Sequence, residues 1–77
     1  MAQFPSLQTK KLLRLLTRKP LEYQIVRQSG SHRRLESPHH PPLTFSYHEG
    51  ATIPSGAVRK ILIRDVGLAE EEAKRLL

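Results

Sequence analysis

The sequence contains no cysteine and no tryptophan. Without thiols, a disulfide framework and any cysteine-based metal site are excluded, and the absence fits a reducing cytoplasm. Aromatic residues make up only 5% of the chain, which leaves little for a surface that reads nucleic acid by stacking bases on rings. Acids are outnumbered: 7 Asp and Glu stand against 13 Lys and Arg, a formal +6 that attracts polyanions or an acidic protein. No apolar run approaches the roughly 20 residues that span a bilayer, and no signal-peptide core precedes the first lysines. The chain is therefore expected to be soluble and cytoplasmic, with no membrane partner.

What is present suits one small domain over residues 1–77. At that length three or four elements can pack, a deep enclosed cavity is not expected, and functional chemistry belongs on a surface. The apolar share of 38% beside 26% charged residues is globular rather than disordered. The charge is uneven. Lys10, Lys11, Arg14, Arg18, Lys19, Arg27, Arg33 and Arg34 crowd the first half, opposed before residue 36 only by Glu22, whereas Glu70, Glu71 and Glu72 cluster at the far end.

From Ser6 to Arg18 the spacing predicts an amphipathic helix, with Leu12, Leu13, Leu15 and Leu16 on one arc and Lys10, Lys11, Arg14 and Arg18 on the other. Ser6 is a candidate N-cap, and Lys19-Pro20 stops the helix. Two extended runs split by Ser29-Gly30-Ser31 then predict a β-hairpin, and "LTFSYHE" predicts a third strand after the proline-rich loop "SPHHPP". Alternation turns Leu21, Tyr23, Ile25, Leu35, Leu43, Phe45 and Tyr47 toward the helices. The opposite face carries Gln24, Gln28, His32, Arg34, Thr44, Ser46 and His48, which could bring the two histidines near each other. A second helix runs from Ser55 to Val66 with Val58, Ile61, Leu62 and Val66 buried, and Gly67 ends it. Asp65 lies near that apolar stripe, at the end of the helix whose dipole disfavours an acid. "LAEEEAKRLL" predicts a short docked C-terminal helix. The expected fold is α+β, in the order α-β-β-β-α: a three-stranded antiparallel sheet with helices on one face and a short extra C-terminal helix.

The basic first helix, "VRQSGSH" across the hairpin, and "HEGATIPSGAVRKIL" running from His48 into a helix together resemble the HicA toxin family of bacterial toxin–antitoxin systems. The resemblance extends from the first helix to Leu68. It implies a double-stranded-RNA-binding-domain-like fold and the toxin of a type II toxin–antitoxin system, a metal-independent endoribonuclease that cleaves mRNA without a cofactor. It also implies a HicB-like antitoxin that covers the active surface, and a toxin that is monomeric when free. The family's essential histidine follows Gly-Ser and maps onto His32; a second, before the glycine leading to the Pro-x-Gly helix start, maps onto His48. Many members continue Gly-Ser-His with another histidine and an aromatic residue, where this chain has Arg33, Arg34 and Leu35.

The chemistry fits these residue types. RNA carries its own nucleophile in the 2′-hydroxyl, so cleavage needs proton transfer and positive charge rather than a covalent side-chain nucleophile. An imidazole titrating near neutrality suits the proton transfer, which assigns His32, with His48 as second candidate. Lys10, Lys11, Arg14, Arg27, Ser31, Arg33, Arg34, Arg59 and Lys60 are the expected RNA contacts, with the helix start at Ser55-Gly56 able either to cradle a phosphate or simply to be capped. The plainer reading of His32 is ordinary polarity on a solvated hairpin. A metal site from His32, His39, His40 and His48 is not expected, because adjacent His39 and His40 point apart and carboxylates are sparse. Two other functions fit the same charge: a non-catalytic RNA-binding module, and an interaction domain that docks an acidic protein.

Overall fold

The computed structural model describes residues 4–77, so the first three residues of the expected single domain lie outside it. Its elements are β1 (Leu7–Gln8), α1 (Thr9–Thr17), β2 (Gln24–Ser29), β3 (His32–Glu36), β4 (Leu43–Ser46), β5 (Thr52–Ile53), α2 (Ser55–Arg59) continuing as a π-helical stretch (Lys60–Asp65), and α3 (Glu70–Leu76). The α+β architecture with an antiparallel sheet in the order β2-β3-β4 is the expected one. A further two-stranded ladder pairs Leu7 with Ile53 and Gln8 with Thr52. No described helix is long and apolar enough to cross a membrane.

That extra ladder moves the start of the first helix. Ser6 is the expected cap, but Leu7 and Gln8 are extended and the helix begins at Thr9, with Gln8 in the cap position and no side-chain capping bond. Thr9 is buried, and both its N–H and its hydroxyl donate to the Ala51 carbonyl, at 3.0 and 3.1 Å. Leu12, Leu15 and Leu16 bury as the spacing requires, while Leu13 is only half-buried.

Inward-facing Leu35, Leu43 and Phe45 meet Leu12 and Leu16 of α1, Val58 of α2, Leu62 and Val66 beyond it, and Ala73 of α3 in one core. Each fully buried leucine stabilises the fold by about 1.5–3 kcal/mol. Tyr23 is also buried, and its hydroxyl donates to the Pro41 carbonyl at 2.7 Å, which ties the proline-rich loop to the sheet. At the end of the π-helical stretch, Gly67 takes φ +88°. Val66 donates to Ile61 at 2.9 Å and Leu68 to Leu62 at 3.0 Å, a helix closure wider than the usual glycine cap.

Two expectations for β2 need correction, one because of a bulge and one because β2 is an edge strand. The β2–β3 register pairs Ile25 with Leu35 and then Arg27 with Arg34, so Val26 is an extra residue in the strand. Such a bulge resets the alternation beyond it. Gln28, expected on the open face, pairs with Arg33 and follows it to the helix side, while Arg27 and Ser29 turn outward. Ile25, expected in the core, is 40% exposed on this edge strand, next to Val26 at 51%.

Candidate active site on the open face of the sheet

The position of His32 follows from the tightness of the hairpin. Ser29 pairs directly with His32, leaving Gly30-Ser31 as a two-residue turn. Gly30 has φ +59° and Ser31 does not share the positive angle, the arrangement in which glycine must occupy the first turn position. The Ser31 carbonyl accepts a hydrogen bond from the Tyr47 N–H at 2.7 Å, which fixes the turn against the end of β4. His32 is thereby the first residue of β3, paired with Ser29 on one side and Ser46 on the other. Its side chain is exposed.

Around it lies an open depression of about 400 Å3 lined by Arg27, Ser29, His32, Arg34 and Thr44. Among the described residues no carboxylate borders it. Arg27 and Arg34 are direct cross-strand partners, and neither belongs to an ion pair or side-chain hydrogen bond among the described residues. Like charges set opposite one another oppose sheet pairing, so an uncompensated arginine pair next to an exposed imidazole marks a place for an anion. Chemically, the depression offers two guanidiniums for phosphate oxygens, an imidazole for proton transfer, and the hydroxyls of Ser29 and Thr44 as further donors.

The remaining expected contacts are scattered. Arg33 points to the helix side, where it donates to the Gly30 carbonyl at 2.6 Å and lies 5.4 Å over the Tyr47 ring. Arg59 pairs with Glu70 at 3.4 Å and covers Phe4 at 5.9 Å. Lys60 borders a separate groove beside β4. Lys11 and Arg14 line a groove between α1 and the C-terminal leucines, and neither they nor Lys10 border the depression. At Ser55-Gly56 no side chain caps the helix; Pro54 occupies the cap position. His48 is exposed two residues past Ser46, in the turn where its carbonyl accepts from the Ala51 N–H at 3.1 Å, and it is not among the lining residues. Sequence reasoning places Thr44 on this face without assigning it a role, and misses Ser29, whose orientation depends on the bulge.

The loop histidines have other occupations. His39 meets the Glu22 carboxylate at 3.2 Å, and His40 stacks on Tyr23 with ring centroids 6.2 Å apart. Among the described residues no three His, Asp or Glu side chains are grouped as a metal site. Burial, with a smaller contribution from the Asp65 charge, pushes the Tyr23 phenol above its ordinary value. Tyr47 is raised by the hydrogen bond it donates to Glu49 at 2.9 Å.

The chain is thus a small α+β domain whose open sheet face gathers Arg27 and Arg34 around His32. The sequence pattern described as HicA toxin of bacterial toxin-antitoxin matches residues 9–68, and the chain belongs to that family. Membership makes it the toxin of a toxin–antitoxin pair, with an antitoxin as its partner. No curated protein and no solved structure matches it.

Proposed function

We propose that this toxin is a metal-independent endoribonuclease that cleaves mRNA through His32. The observation that carries the reading is the exposed imidazole bordered by Arg27 and Arg34 with no carboxylate to neutralise them. The arginines hold the scissile phosphate. The 2′-oxygen then attacks phosphorus as its proton passes to a base; the P–O5′ bond breaks, and the departing oxygen takes up a proton. The products are a 2′,3′-cyclic phosphate and a 5′-hydroxyl. His32 performs one of these proton transfers, a role worth about 10²–10⁴-fold. The other falls to His48 or to water, since only His32 borders the depression. A HicB-like antitoxin silences the toxin by covering this face.

Incubating the purified toxin and its His32→Ala variant with single-stranded RNA tests the reading. Cleavage by the parent alone, leaving cyclic phosphate ends, is the expected result. Equal cleavage by both proteins overturns the assignment. Salt-sensitive binding without cleavage by either identifies the chain as an RNA-binding module instead.

A further inference from the structure

Three features have no part in that reaction, and they meet at one place. The first is the outer edge of β4. In an antiparallel ladder, hydrogen-bonded and non-hydrogen-bonded pairs alternate. The bond from the Tyr47 N–H to the Ser31 carbonyl sets the phase, so Leu43 and Phe45 direct their backbone groups to β3, and Thr44 and Ser46 direct theirs away from it. β4 ends the sheet, and no described residue pairs with the backbone of Thr44 or Ser46 on that side. The second feature is Asp65, half-buried and without a hydrogen bond or ion pair among the described residues. The third is the π-helical stretch Lys60–Asp65, a widened geometry frequent at functional sites. All three border a groove of about 280 Å3 between the β4 edge and the helix, floored by Ile53, Ala57 and Ile61, with Lys60 and Asp65 also on its wall.

We propose that this groove receives an extended segment of the antitoxin, which adds a strand to β4 and places a basic side chain against Asp65. Main-chain bonds to Thr44 and Ser46 supply the pairing, and the apolar floor accepts alternate side chains, the division of labour found where peptides extend a sheet edge. Asp65 supplies selectivity at its own end of the groove: its carboxylate has no ion pair among the described residues, although Lys60 lines the same wall, and it favours a cationic partner group beside it. Thr44 borders both the groove and the His32 depression, so a segment bound here lies beside the catalytic face. The proposal depends on family membership and not on the nuclease reading, because it concerns binding alone.

The test uses the full chain, free and in complex with its co-expressed antitoxin, and follows individual amides by hydrogen exchange in NMR spectra. The Thr44 and Ser46 amides are expected to exchange freely in the toxin alone and to become protected in the complex. Asp65→Asn is expected to weaken the complex about tenfold to a hundredfold, as for loss of a charged hydrogen bond. Ser46→Pro removes an outward N–H that β3 does not use, so it is expected to keep the thermal melt of the parent and lose affinity. Unchanged exchange at both amides in the complex overturns the proposal, as does parental affinity in both variants. Protection that appears in the free toxin as its concentration rises points to a second copy and overturns it. Protection by a short RNA but not by the antitoxin does so too.

Discussion

Arg27 and Arg34 face each other across β2 and β3, on the same side of the sheet as His32, with no acid between them. Folding gains nothing from this pairing, which leaves anion binding as its physical rationale. Replacing either arginine with glutamine should therefore weaken RNA binding without lowering the melting temperature. The logarithmic salt dependence of binding should flatten by about 0.7 for each phosphate of the single strand that the variant no longer neutralises. A melting temperature that falls in step with affinity counts against this division.

The two histidines should separate kinetically. His32→Ala is expected to reduce RNA cleavage by about 10²–10⁴-fold and to abolish growth arrest on induced expression. His48 lies outside the depression, so His48→Ala should cost less. Single-turnover cleavage of a short oligonucleotide ranks the two; a larger loss at His48 reverses the assignment.

Tyr23 couples stability to alkaline pH. Its phenol is raised by burial and by the Asp65 charge above the ordinary 10.0, so the protonated form is favoured in the fold. Its contribution is complete below pH 10 and is lost as pH rises through the raised value. Tyr23→Phe should cost about 0.5–1.5 kcal/mol at neutral pH by removing the hydrogen bond to Pro41. Urea unfolding from pH 7 to 11 should show the parent losing its advantage at the alkaline end.

Glu70 acts at the opposite end of the scale. Its carboxyl is held below the ordinary 4.5, first by the hydrogen bond from Lys74 at 3.0 Å and then by Arg59. A lowered value means that the contribution is present above pH 4.5 and vanishes as pH falls through the lowered value. Glu70→Gln should melt slightly below the parent at pH 7, and the difference should shrink as pH falls below 4.5 and the carboxyl protonates.

The order of elements and the exposed histidine can be read from the chain because each rests on short-range pattern. Leucine spacing marks α1, glycine at position 30 marks the hairpin, and alternation places Leu35, Leu43 and Phe45 in the core. What escapes depends on pairing between distant segments. Two-residue β1 and β5 have no alternation to read, yet their ladder moves the helix start from Ser6 to Thr9. Val26 looks like any strand residue until β3 is laid beside it. Lys10, Lys11 and Arg14 share their charge with Arg27 and Arg34 but not their location, since charge in sequence carries no direction in space.

The supernumerary Val26 gives β2 a residue it can lose without changing what it presents to the open face. Arg27, Gln28 and Ser29 already pair with Arg34, Arg33 and His32, so removing Val26 would close the ladder into a regular one and leave both guanidiniums beside the imidazole. A frame-preserving loss of that codon would spare the toxin's chemistry, and a variant one residue shorter in β2 belongs among the active forms.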